Sequence, residues 1–222
     1  MQSPGYFSAP SMTEQEFANF LERNADFHQR VAENLAEFQA CPEPRYGVAL
    51  NSALLSIEHG AAACVLIASQ LYAPGYSLVR TQFETLVRGI WLMYAASDVW
   101  VEKLHQPLTE ENAESSNDTL MLDKMLKALR ASESAPSALL DQLDACRSVM
   151  WKALNSYAHG GLHPLSRSVA GYPPRLSYDV LRNSNAITAL AAQLAAIVTG
   201  DPENMVPVRV LHHDFADCLP IV

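Results

Sequence analysis

A chain of 222 residues, 49% of them hydrophobic, holds enough apolar material for one generous core, which excludes a wholly disordered protein. Its 15 Lys and Arg against 24 Asp and Glu give a formal charge of -9, which repels polyanions at long range and excludes general coating of nucleic acid. Charged residues make up only 18%, below the roughly 25% usual for soluble domains, so apolar surface is expected to be shared with another copy and a homo-oligomer is the expected state.

In chain order, MQSPGYFSAPSM lacks the basic start and apolar run of a signal peptide. Thr13 and Glu16 then make a T-x-x-E capping box, and Phe17, Phe20, Leu21, Phe27, Val31, Leu35 and Phe38 recur at helical spacing, which predicts a helix over about 14 to 39. Cys41-Pro42-Glu43-Pro44 ends it. A second helix, over about 46 to 72, is apolar nearly all round and so reads as a central element. Glu58-His59 and a Pro74-Gly75 turn bound its most apolar stretch, leaving it too short for a membrane span. A third helix, about 77 to 105, should pair with it as an antiparallel hairpin.

Gln106 to Asp118 is polar and acidic and reads as a solvent loop. A short amphipathic helix follows, with Leu122, Met125, Leu126 and Leu129 inside. Pro136 opens a longer helix that runs through Leu143, Cys146, Met150, Leu154 and Tyr157 to a stop at Gly160-Gly161. A connection rich in proline and glycine leads to a last helix over about 178 to 199. The expected fold is therefore all-α, an antiparallel helical bundle in a single domain: 1–12 a disordered N-terminal segment, 13–205 the bundle, 206–222 a C-terminal tail. Four scattered cysteines without a C-x-x-C pair read as reduced thiols, consistent with a cytoplasmic location.

Two polar groupings stand out. Arg80, Glu84 and Arg88 lie at successive four-residue steps on one stripe of the third helix, so Glu84 can contact both guanidiniums. One reading is the solvated strip of that helix; the other is a buried, mutually paired cluster beside Val87 and Trp91. Asn155 and His159, four apart, share a helix face with Trp151 at the carboxyl end of the helix that Gly160-Gly161 closes, and His163 follows on a loop. The acidic excess lies in the first two thirds, since Asp179 is the one acidic residue between Asp144 and Asp201.

The run S-I-E-H-G from Ser56, V-R-T-Q-F-E-T-L-V-R-G-I-W-L-M-Y-A-A-S-D from Val79, W-K-A-L-N-S-Y-A-H-G-G-L-H-P-L from Trp151 and V-L-R-N-S-N from Val180 together resemble a bacterial family of uncharacterised helical proteins. More distantly, N-x-x-x-H-G at a helix end resembles the HEPN superfamily, helical domains of toxins and defence systems, many of them dimeric metal-independent ribonucleases. Asn155 and His159 match the polar residue and the histidine of that signature, while its arginine position holds Leu154, with Ala153 and Lys152 before it. An arginine there would steady a phosphorane-like transition state.

The resemblance and the residues together imply a protein that binds RNA or another phosphate-bearing ligand, with degenerate ribonuclease activity in a defence or stress system. His159 and Asn155 are the candidate catalytic residues, and Arg80, Glu84 and Arg88 the candidate ligand-binding residues. The alternative is a non-enzymatic interaction protein whose polar cluster is purely structural. No cofactor, metal or membrane partner is expected: E-x-x-H occurs once, at Glu102 to His105, and not on the two helices that a di-metal bundle uses, and the glycines between His159 and His163 break zinc-binding helical geometry. Phosphate-binding loops, dinucleotide fingerprints and nucleophile elbows are absent from the sequence.

Overall fold

The computed structural model describes residues 11–110, 112 and 120–220, and these are helical throughout, without a strand. Residues 1–10 of the expected disordered segment 1–12, and 111 and 113–118 of the expected loop from Gln106 to Asp118, lie outside the described residues. Helix α1 (Glu14–Leu35) begins at the capping box: the Thr13 hydroxyl accepts from the Glu16 amide at 3.2 Å, and the Thr13 amide donates to the Glu16 carboxylate at 2.7 Å. Its inner face is Phe17, Phe20, Asn24, Phe27, Val31 and Leu35, the stripe that helical spacing predicts.

Helix α2 (Pro44–Ala68) and helix α3 (Tyr72–Tyr94) form the expected hairpin, but the turn is not at Pro74-Gly75. It is at Ser69–Leu71, where Gln70 takes a left-handed φ of 62° and the Leu71 amide donates back to Leu66 at 2.8 Å. Pro74 sits inside the first turn of α3, where its missing N–H removes no helical hydrogen bond. Gly75 lets the two helices close on each other, since a side chain there would meet Ile67 at 2.8 Å.

Helix α2 is one unbroken helix of 25 residues, long and apolar enough by composition to cross a membrane, which corrects the expectation that it is too short. Glu58 interrupts nothing because it points away from the core on an exposed face with Leu54, Leu55 and Val65. That open face also removes α2 from the centre of the bundle. The central pair is α3 and helix α8 (Pro174–Ile197): α3 touches α2, α8, helix α5 (Leu122–Ala131) and helix α6 (Ser137–Ala158). Ala189, Ala191, Ala192, Ala195 and Ala196 of α8 are buried, and small side chains let the neighbouring backbones approach.

The third predicted helix divides in two. Tyr94 ends α3, and helix α4 (Asp98–His105) starts after Ser97. Arg45, from the first turn of α2, donates to the Leu92 and Ala96 carbonyls at 2.6 and 2.9 Å and to Asp98 at 2.7 Å, satisfying the carbonyl end of α3 from outside. Such a long-range cap leaves no local signal. Two further helices arise where a loop and a tail were expected: α7 (Leu162–Ala170) and α9 (Met205–Asp214). The latter packs on α1 and α8 with Val208 and Leu211 buried.

Candidate functional site

Helix α3 presents two polar faces of different kinds. Gln82, buried, reaches α8: its amide donates to the Ser184 carbonyl at 3.0 Å and to the Thr188 hydroxyl at 2.9 Å, and its carbonyl accepts from the Ser184 hydroxyl at 2.7 Å. Ser56 of α2 donates to the Gln82 backbone carbonyl at 2.9 Å. Every polar side-chain atom of Gln82 is engaged, as burial demands. Gly60 makes room for the knot, because a side chain there would meet Gln82 at 2.5 Å and Thr188 at 2.7 Å.

Arg80 stands on the other face. Its Nε and Nη2 donate to Glu84 at 3.2 and 3.0 Å, and its guanidinium lies over the Trp151 ring at 5.1 Å. Its Nη1 reaches Nε2 of His159 across the helices at 2.5 Å. A guanidinium only donates, so the imidazole Nε2 accepts and the ring proton sits on Nδ1. His159 is the residue that closes α6, exposed, with its amide donating to the Asn155 carbonyl at 3.2 Å. Gly160 follows at φ 63°, a left-handed turn natural to glycine.

The sequence-predicted residues are thus brought together unequally. Arg80, Glu84 and His159 form one contact chain; the Arg80 and Glu84 side chains keep 19% and 32% of their exposure, so the cluster is neither a solvated strip nor a dry knot. Glu84 does not bridge both arginines: Arg88 is half-buried and makes no ion pair or hydrogen bond among the described residues. Asn155 is exposed, and its side chain does not hold His159, whose ring is oriented by Arg80. Leu154 lies in the core at 3% exposure, so the motif's arginine position points into the bundle. His163 sits in the first turn of α7, its amide donating to the Ser156 hydroxyl at 3.1 Å.

Trp151 is the member that residue pattern alone does not assign. It lies between the guanidiniums of Arg80 and Arg147, at 5.1 and 5.8 Å, with Phe83 behind it at 6.1 Å, and Arg147 is in turn ion-paired with Asp123. Its place one turn before Asn155, on the same face, was the available signal. The described residues contain no group of three His, Cys, Asp or Glu able to hold a metal ion. Neither Arg80 nor His159 lines the cavities at Arg45 and Tyr94, at Gln142 and Gln193, or at Asp98 and Gln106.

A family of unknown function, DUF6988, matches residues 53–221. The chain belongs to that family. No curated protein and no solved structure matches the chain. The family region includes both polar faces of α3, the Trp151 to His159 segment and the V-L-R-N-S-N run of α8. In that run Ser184 binds Gln82, and Asn185 donates to Asn24 at 2.5 Å and to the Cys218 carbonyl at 2.9 Å, so this motif ties the bundle together.

Proposed function

We propose that this protein binds a phosphate-bearing ligand, RNA foremost, on the open surface formed by Arg80, Arg88, Trp151 and His159. The observation that carries the reading is Arg80 in contact with His159 across two helices: a cation from α3 stands beside the histidine where Leu154 provides none. Arg80 offers a fixed guanidinium, with Glu84 and Trp151 holding it on two sides. Arg88, without an ion pair among the described residues, supplies a second cation about two turns further along the stripe. An exposed His159 beside a partly exposed Arg80 can be reached by a polymer backbone. The distant likeness of N-x-x-x-H-G to HEPN domains supports the same ligand class, and the exposed Leu162, Leu165 and Val169 of α7 support a homodimer.

Cleavage is a second reading, favoured by the same Arg80–His159 pair. Once Arg80 moves from the His159 Nε2 to the phosphoryl oxygens, that freed nitrogen would take the proton of a ribose 2′-hydroxyl as its oxygen attacks phosphorus, and the departing 5′-oxygen would take a proton from solvent. The buried Leu154 and the unengaged Asn155 favour binding without turnover; the likeness to HEPN domains extends the proposal to a defence or stress setting, and the free cysteines to the cytoplasm.

Fluorescence anisotropy with a labelled single-stranded RNA oligomer, run at two salt concentrations, tests the proposal. His159→Ala and Arg80→Lys are each expected to weaken binding about tenfold, near 1.4 kcal/mol, while the His159→Ala melting temperature stays within a few degrees of wild type. Equal affinity in all three proteins, or no salt-sensitive binding and no thermal shift with RNA or inorganic pyrophosphate, would sink it. Gel analysis of the same RNA after long incubation separates binding from cleavage.

A further inference from the structure

On the opposite side of α6 from Trp151, that helix and α8 diverge to leave a trough. It consists of two adjoining cavities of about 330 and 220 Å³ that share Gln142, Leu190 and Gln193. From Pro136 to Val149 it follows α6 for about 20 Å. Val149 at one end and Ile197 at the other are large apolar side chains left 71% and 41% exposed.

The chemistry of the walls is selective. Among the described residues, neither cavity is lined by a single Asp, Glu, Lys or Arg, although α6 carries Asp141, Asp144, Arg147 and Lys152 on its other faces. Midway, Gln193 donates to Nε2 of His212 at 3.0 Å, which leaves the His212 Nδ1–H and the Gln193 carbonyl for another partner. Burial pushes the Cys146 thiol and the Tyr94 phenol up and the His212 imidazole down, so each lining group that titrates is uncharged near neutral pH. Mostly apolar walls with a few convergent polar groups, in a volume of this order, are the usual form of a small-molecule site.

We infer that the trough binds a neutral amphiphile: a carbon chain or ring bearing one uncharged hydrogen-bonding group, of the amide or alcohol class, read by Gln193, His212 and Gln142. A carboxylate or an ammonium would lose its hydration and find no counter-charge on these walls. The site is independent of the Arg80–His159 surface and stands or falls without it.

Cys146, half-buried in the wall, is the reporter, and half-buried Cys41, outside the trough, is the internal control. The full chain is alkylated with iodoacetamide and both cysteines are followed by peptide mass spectrometry, with octanamide, octanoate or octylammonium present. Octanamide at about ten times its Kd is expected to slow Cys146 about tenfold and leave Cys41 unchanged, while the two charged analogues do nothing at the same concentration. Nile red, a neutral dye, should shift its emission to the blue on the protein and be displaced by octanamide. Ala186→Trp fills the trough and should abolish that shift; Ala145→Trp, at an exposed lip position, does the same without risk to folding. Equal protection by octanoate, no protection by octanamide, or a dye shift that survives both tryptophans overturns the inference. So does protection of Cys146 that needs no ligand and vanishes on dilution, which would make a second copy the occupant.

Discussion

Gln82 and Arg80 are two residues apart on α3 and about 200° apart around it, and the bundle treats them in opposite ways. Around Gln82, α8 supplies a partner for each polar atom of the side chain, Ser56 of α2 bonds its backbone carbonyl, and a glycine leaves the space for it. Around Arg80 the pairing is incomplete: Glu84 is shared with solvent, Arg88 has no counter-ion among the described residues, and His159 hangs at a helix end. A neutral amide can be buried at modest cost once its hydrogen bonds are made, whereas a guanidinium keeps a large desolvation cost even when paired. The first arrangement specifies how helices pack. The second keeps a cation near the surface, where a ligand can compete for it.

The comparison predicts that the largest effect belongs to the knot. Gln82→Ala should lower stability by about 3 to 5 kcal/mol in urea denaturation, since it opens a cavity and strands Ser184 and Thr188. A loss below about 1 kcal/mol would mean the knot is solvated and the contrast with Arg80 is false. A second buried polar position sharpens the same rule. Both ring nitrogens of His28 are buried without a hydrogen-bond partner among the described residues, and burial pulls its pKa from 6.5 to about 4, with nearby Asn185 opposing the shift. The unfolded chain therefore takes up a proton first. Stability from this residue is intact above pH 6.5 and falls by about 3 kcal/mol as the pH drops toward 4. Denaturation curves across that window should show the slope in wild type and lose it in His28→Leu.

Smaller effects follow from local terms. Gln70 holds a left-handed φ of 62° at the α2–α3 turn, so Gln70→Gly should stabilise by about 1 kcal/mol, read as a rise in the melting temperature. Glu84→Ala should cost less than about 1 kcal/mol, because the ion pair it breaks is partly exposed, while loosening the Arg80 guanidinium and weakening RNA binding. A loss as large as that of Gln82→Ala would show that the Arg80 cluster is a second structural knot, and the proposed function would lose its ground.

Much of this was legible beforehand. The capping box at Thr13 and Glu16, the stop at Gly160-Gly161 and the i, i+4 stripe of Arg80 and Glu84 are local patterns, and local patterns survive into the structure. Gln82 was missed although a signal existed: it is a neutral polar residue on the apolar side of an otherwise well-patterned helix. The break between α3 and α4 had no such signal, because the group that caps it, Arg45, lies 47 residues away from Leu92. The helix α7 was hidden for another reason. It buries none of its residues, and Pro164 and the flanking glycines read as loop, while a proline in a first turn is compatible with helix.

By itself the chain determined that it is helical, where most helices begin or end, and which residues stand on one face of each, because periodicity and capping depend on neighbours a few positions apart. Only the tertiary structure decided that α3 and α8 form the centre, that Arg80 meets His159 while Asn155 and Arg88 stand aside, and that a charge-free trough opens between α6 and α8. Those outcomes depend on which helix faces which, and that choice is made by side-chain fit and hydrogen-bond satisfaction across more than 70 residues of sequence, as in the separation of 79 between Arg80 and His159.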